Sequence, residues 1–380
     1  MKKMKKGLVL AAFLAATVLA NGCQKGNGNE VPASQTESTA SVKAGTQAET
    51  EKSREAGGQS DTRVFTDSAG RQVTIPKEIT KIAPSGPLAQ IVLYTLCPDK
   101  LSGLASDFSE GAKQYIDEKY WGLPKFGQFY GKNASLNMEA LIAESPDVII
   151  DIGEAKKTVK EDMDALQEQL HMPVIFIEAD LDTMSAAYEK LGELTGDADQ
   201  AKKLAAYCSD ILKKSETARK ELTDKEKKSV YFAIGDDGLH TNAEGSIHAR
   251  VMEQTGAENA AKVELVSSGG GSEVSFEQLL LWQPDFIIAD SEALYQTIIT
   301  DKVWGELNAV KEGRVYRIPS VPYSFMSSPP SVNRMMGILW LGNLVYPEQY
   351  RLDIKQETKN FYQLFYHVTL DDAQIKKILN

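Results

Sequence analysis

Residues 138–150 read MEALIAESPDVII, and residues 276–288 read FEQLLLWQPDFII. At a constant offset of 138 positions, six identities align: Glu139, Leu141, Pro146, Asp147, Ile149 and Ile150 match Glu277, Leu279, Pro284, Asp285, Ile287 and Ile288. Each copy reads as a short helix, a Pro-Asp turn and an apolar strand of the kind buried in a parallel sheet. Pro-Asp-x-Ile-Ile alone is common in α/β chains. Two copies, each preceded by Glu-x-Leu at the same distance, predict two similar α/β lobes in tandem.

Between the copies, Met184, Tyr188, Leu191 and Leu194, then Leu204, Tyr207, Cys208, Ile211 and Leu212, follow helical spacing. Gly196-Asp197 interrupts the run. The part from Ala198 to Leu222 predicts a helix of about 25 residues, roughly 37 Å long. Such a rod joins two lobes stiffly and permits only modest hinge motion. Ahead of the first copy, residues 64–76 (VFTDSAGRQVTIP) predict a small hairpin. An apolar strand at Lys81 to Ala83, a turn through Ser85-Gly86, a helix from Leu88 to Leu96 and a short strand at Leu101 to Ala105 follow. The expected architecture is α/β, with two similar α/β lobes (63–182 and 223–380) joined by one long bridging helix within 183–222.

The 380 residues carry 53 acidic and 42 basic side chains, a formal charge of -11, and 42% are hydrophobic. That composition supports a core and argues against non-specific binding to nucleic acid, whose phosphates would be repelled. Lys2, Lys3, Lys5 and Lys6 precede a fourteen-residue apolar run from Gly7 to Ala20. The run is short for a bilayer span and ordered like a secretory signal, placed at 1–22. Its end, Leu19-Ala20-Asn21-Gly22-Cys23, resembles a bacterial lipobox, although Ala20 stands where leucine is usual. The resemblance implies lipidation of Cys23 and attachment to the outer face of the cell membrane. Removing the four leader lysines takes the formal charge from -11 to -15. Residues 23–62 are rich in small and polar side chains and read as a flexible tether.

Taken together, the ordered pieces resemble the substrate-binding lipoproteins of iron-complex type ABC importers, a helical-backbone class that includes haem and cobalamin carriers. The matching residues are Thr66-Asp67, Gly70-Arg71 and Ile75-Pro76, then Ser85 and the two Glu-x-Leu…Pro-Asp copies. Leu191-Gly192-Glu193-Leu194-Thr195-Gly196, Gly245-Ser246 and Thr255-Gly256-Ala257-Glu258-Asn259 complete the set, which spans about 64–350. The resemblance implies a ligand cleft between the lobes and a monomer that docks on a permease dimer with a cytoplasmic ATPase. It gives Glu139 and Glu277, one per lobe, to that docking. Each also lies at a predicted helix start, where the dipole favours a carboxylate for purely structural reasons.

Ligand-binding residues are expected on loops at the carboxyl ends of strands. Candidates are Ser85, Gly86 and Tyr130 in the first lobe, and Asp236, Tyr323, Asn333 and Arg334 in the second. Ser85-Gly86 would offer backbone N–H groups at a helix start. Ser331 would cap a helix running through Arg334, and Arg334 would clamp a carboxylate or oxyanion. Aromatic side chains beside polar ones suit an organic chelate. The resemblance implies an iron(III)-siderophore or related metal chelate as that ligand, with haem, cobalamin or a molybdate-like oxyanion as alternatives.

His171, His240, His248 and His367 show no metal-ligand spacing, so no protein-held metal is expected, although His240 or His248 could serve as an axial ligand of a haem or cobalt centre. Cys97 and Cys208 sit in apolar surroundings and read as buried thiols, with a disulfide left open to them by the export reading. The chain has no P-loop, no Gly-x-Ser-x-Gly turn and no Cys-x-x-Cys pair, so no catalytic residue or cofactor is assigned. A surface sensor or adhesin on the same fold is the rival binding class.

Overall fold

A strand hairpin opens the described part of the chain. The computed structural model describes residues 61–131, 133–265 and 271–379. The leader at 1–22, Cys23, nearly all of the tether, and Gly269-Gly270 lie outside them.

β1 (Thr62–Thr66) and β2 (Gln72–Pro76) pair antiparallel. The Asp67–Arg71 turn fastens this hairpin to the first lobe. Arg71 Nη1 lies 2.9 Å from Asp67 Oδ2 and donates to the Val174 carbonyl, and Arg71 Nε reaches Asp164 at 2.7 Å. Both Asp67 and Arg71 are buried, so their charges are paired where an isolated charge would be costly.

The first lobe is built on β3 (Ile82–Pro84), β4 (Val148–Gly153) and β5 (Val174–Glu178), three parallel strands in the order β3-β4-β5. Helix α1 (Pro87–Leu96) follows β3, α2 (Met138–Glu144) precedes β4, and α3 (Val159–Leu170) crosses from β4 to β5. The expected strand at Leu101 to Ala105 is reduced to isolated bridges at Leu101 and Leu104.

α4 (Met184–Thr195) and α5 (Ala198–Glu221) are separated at Gly196, whose φ of 84° is the left-handed conformation that a side chain resists. α5 has 24 residues and packs against α4 and α1 on one side.

The second lobe carries β6 (Ser229–Ala233), α6 (Arg250–Thr255), β7 (Glu258–Asn259), α7 (Phe276–Trp282), β8 (Phe286–Ala289) and β9 (Val315–Arg317). Its four parallel strands run β9-β8-β6-β7. α8 (Asn333–Val345) follows, and it packs on α5 and α6. α8 starts at Asn333 with Val332 at its N-cap, so Ser331 stands one residue before the cap position expected of it. α9 (Ile354–Phe365) and α10 (Asp372–Leu379) close the described chain.

The last helices do not stay with the second sheet. Tyr362 packs edge-on against Tyr115, His367 Nε2 lies 3.4 Å from the Tyr94 carbonyl oxygen, and Lys377 donates to Gln114. One hydrophobic cluster accordingly runs from Ile82 and Ile150 of the first sheet through α5 and α8 to Val230 and Ile288 of the second. Cys97 and Cys208 are free, buried thiols within it, and burial pushes both well above the ordinary thiol range. No helix among the described residues is long and apolar enough to cross a membrane.

Candidate functional site: a cleft at the strand ends

A cavity of about 730 Å³ opens where the first-lobe strands end. Leu88 comes from the start of α1, Asp151 and Glu154 from the end of β4, and Ala179 from the residue after β5. Ile247 and Pro330 of the second lobe close the other side. Two further depressions, of about 510 Å³ beside Arg219 and about 550 Å³ beside Tyr94, are not at the ends of these strands. The carboxyl edge of a parallel sheet is where ligands of α/β proteins collect, so the 730 Å³ cavity is the candidate site.

Asp151 stands at its floor, only 3% exposed. The Ser85 hydroxyl donates to Asp151 Oδ1, and Tyr130 Oη donates to Oδ2 at 2.7 Å. With both hydroxyls donating, the carboxyl group only accepts, as its ionised form does. Burial pushes the Asp151 carboxyl up, and the bonds from Ser85 and Tyr130 oppose this. Burial, and then the neighbouring Asp151 charge, push the Tyr130 hydroxyl up, so it remains a donor. Tyr130 as a whole is 39% exposed although its hydroxyl turns inward to Asp151.

The loop carrying Tyr130 is held by its own backbone. Phe129 N–H donates to the Ser85 carbonyl at 2.9 Å, and Ser135 N–H donates to the Gln128 carbonyl at 2.8 Å. Gly127, at φ 80°, makes this possible, because a Cβ there would overlap the Ser135 carbonyl oxygen.

The sequence-predicted residues divide into three groups. Ser85 and Tyr130 meet at Asp151. Gly86 caps α1, but the anion cradle expected there is depleted: Pro87 supplies no N–H, and the Ser85 N–H is bonded to the Ile150 carbonyl.

Tyr323, Asn333 and Arg334 are engaged by the protein. Asn333 is wholly buried, accepting from Tyr366 Oη and donating to the Tyr323 carbonyl. Tyr323 packs on the shared core and bonds Gln90. Arg334 is also wholly buried: Nη1 donates to the Ile247 carbonyl at 2.9 Å and Nη2 to Asp180 Oδ1 at 3.2 Å. Only its Nε lacks a partner. Burial works against the Arg334 charge and Asp180 supports it. The expected clamp therefore acts as a strut, fixing the cavity-lining Ile247 from behind.

Asp236 is exposed on the 235–238 loop and does not line the cavity. His240 lies 3.8 Å from Asp237, and His248 Nδ1 has no partner beside Arg334. Among the described residues no group of three or more His, Cys, Asp or Glu side chains is placed to hold a metal ion.

Sequence reasoning passed over Asp151, Glu154, Lys156 and Asp162. The readable signal was Asp151 itself, an acid inside the apolar run VIIDIG.

Glu139 and Glu277 lie away from the cavity. Both are exposed in the first turns of α2 and α7, and among the described residues neither makes an ion pair. Asn137 caps α2 by accepting from Ala140 N–H, and Ser275 with Gln278 forms a reciprocal capping box on α7.

Two parallel-sheet lobes, a long helix packed between them and a cavity at the strand ends define a two-lobed α/β solute-binding protein. The periplasmic binding protein family model matches residues 128–322, just over half of the chain, and the chain belongs to that family. The molybdate-binding protein MolA of Haemophilus influenzae is 24% identical over 81% of this chain and 92% of its own length. The ABC transporter substrate-binding lipoprotein YvrC of Bacillus subtilis is 24% identical over 91% of this chain and 99% of its own. The solved structure of an ABC transporter solute binding protein from Sulfurospirillum deleyianum superposes with a TM-score of 0.76. It is 29% identical and covers 83% of this chain and 98% of its own.

Proposed function

We propose that this chain captures an iron(III)-siderophore or related metal chelate outside the cytoplasm and hands it to a permease dimer. Its family makes it the substrate-binding component of an ABC transporter. ATP is hydrolysed by the partner, and the chain's own task is capture and presentation. Lipidation at Cys23 would hold it at the membrane surface, and Glu139 and Glu277 would dock it.

The observation that carries the ligand class is the charge inventory of the cavity. Asp151, Glu154 and Asp162 line it against the single cation Lys156. The arginine forks nearby are already engaged. Arg334 holds Asp180 and the Ile247 carbonyl, and Arg250 holds Asp182 while lying 3.6 Å from Asp180. With no free guanidinium and no N–H at Pro87, a bare oxyanion finds few donors. A metal chelate with an apolar or aromatic body fits the Tyr130 ring, Leu88 and Ile247 better.

Thermal shift against a ferric siderophore, haemin, cobalamin and molybdate tests this. The chelate that binds should stabilise by about 2.7 kcal/mol at 100 times its dissociation constant, while molybdate should leave the melting temperature unchanged. Stabilisation by molybdate alone would replace the chelate reading with an oxyanion one.

A further inference from the structure

Eight large hydrophobic side chains are exposed among the described residues, and three of them sit on the two short repeated helices: Ile142 (57% exposed) on α2, and Leu280 (38%) and Leu281 (83%) on α7. Scattered exposed apolar residues need no explanation, but these are not scattered. Ile142 and Leu280 are the same position of the repeat, 138 residues apart. Each stands three residues after its glutamate, so Glu139 with Ile142, and Glu277 with Leu280 and Leu281, share a helix face.

The inward side of each helix is equally matched. Leu141 and Leu279 are the one buried residue of their helices, and both are 0% exposed. Met138 and Ala140 on α2, and Phe276 and Trp282 on α7, are half-buried and pack against the cores beside these leucines, while Glu139 with Ile142, and Glu277 with Leu280 and Leu281, are exposed. The lobes thus present one device twice: a free carboxylate beside an uncovered aliphatic side chain.

We propose that Ile142, Leu280 and Leu281 are apolar anchors of the permease-facing surface, seated in hydrophobic pockets beside the basic residues that meet Glu139 and Glu277. The proposal rests on the docking reading given above and extends it from charge to packing. A motif duplicated in both lobes fits a partner that offers the same receptor twice, as two permease subunits do. A second copy of this chain fits poorly, because it would bring glutamate against glutamate on a chain of formal charge -11. The two sides are unequal. Ala143 occupies the position that Leu281 holds in the second lobe, so the second lobe carries the stronger grip. Charges on such a surface govern encounter, and buried apolar anchors govern residence time.

The test measures binding of the full protein to its cognate permease–ATPase complex in lipid nanodiscs at several salt concentrations. Leu280→Ser/Leu281→Ser should speed dissociation about tenfold, leaving association and its salt dependence unchanged. Ile142→Ser should act in the same direction by about threefold. Glu139→Lys/Glu277→Lys should instead slow association and abolish its salt dependence. All the serine variants should melt with the wild type, since the changed groups are exposed.

Unchanged dissociation in the leucine double variant overturns the anchors. If glutamate reversal still acts in that case, the docking reading stands alone. Wild-type protein that does not bind the complex overturns both. Self-association of the wild type that the serine changes abolish assigns the surface to a second copy and overturns the proposal.

Discussion

In the first lobe, Asp147 Oδ2 accepts from the backbone N–H groups of Thr80 at 2.7 Å and Lys81 at 2.9 Å, tying the start of β4 to the start of β3. In the second lobe, Asp285 Oδ2 accepts from Ser229 N–H at 2.9 Å, tying β8 to β6 in the same manner. Ile82 opposes Val148 in one sheet as Val230 opposes Phe286 in the other. The entry ends of the two sheets are therefore built alike.

The exit ends are not. The repeat offset of 138 carries Asp151 onto Ala289, which opposes Ala233 where the first lobe has Ser85. A buried hydroxyl–carboxylate pair in one lobe is a pair of methyl groups in the other. The turn that closes each sheet can be kept unchanged, whereas the opposite strand ends, which in the first lobe face the cavity, are free to differ. Here the polar floor of the cavity was assigned to one lobe.

The junction between the lobes should give the largest effect. Arg334→Met removes one partner of a buried ion pair and leaves Asp180 to Arg250 alone. We expect a loss of about 3 kcal/mol in denaturant unfolding, at the lower end for broken buried pairs. A loss below about 1 kcal/mol would show that Arg334 does not brace the second-lobe wall.

The exit-end contrast comes next. Asp151→Ala alone strands the Ser85 and Tyr130 hydroxyls and should cost about 1–2 kcal/mol. Ser85→Ala/Asp151→Ala rebuilds the second lobe's alanine pair in the first lobe and should cost no more than the single change, while ligand affinity falls. Strict additivity of the two losses would break the equivalence of the strand ends.

The smallest effect is a pH dependence at the contact between the last helices and the first lobe. Burial first, opposed by the bond to the Tyr94 carbonyl, holds the His367 imidazole below its ordinary 6.5. Between that lowered value and 6.5 the unfolded chain binds more protons than the folded one. Stability therefore rises with pH through this window and is lost as pH falls below 6.5. His367→Gln should flatten the slope of melting temperature over this range. An unaltered slope would remove His367 from that contact's pH response.

The duplicated turns, the hairpin and the break at Gly196 were readable because each is a local event, written in period, proline or glycine at fixed offsets. The long helix was anticipated to within a residue, at Ala198–Glu221. Site residues were less legible, because their roles depend on which face of an element meets which neighbour. α8 is buried nearly all round, so no periodicity could say whether Asn333 and Arg334 point to the ligand or to Tyr366 and Asp180. The return of α9 and α10 to the first lobe leaves no local mark either, since it is made by aromatic packing between residues far apart in the chain.

That return has a consequence for how far the two halves can part. Because a single apolar core is threaded through both halves, wide spontaneous gaping would require pulling aliphatic and aromatic groups into water. Parting the halves is therefore work done against apolar hydration, which a hinge between two separately cored lobes would not meet.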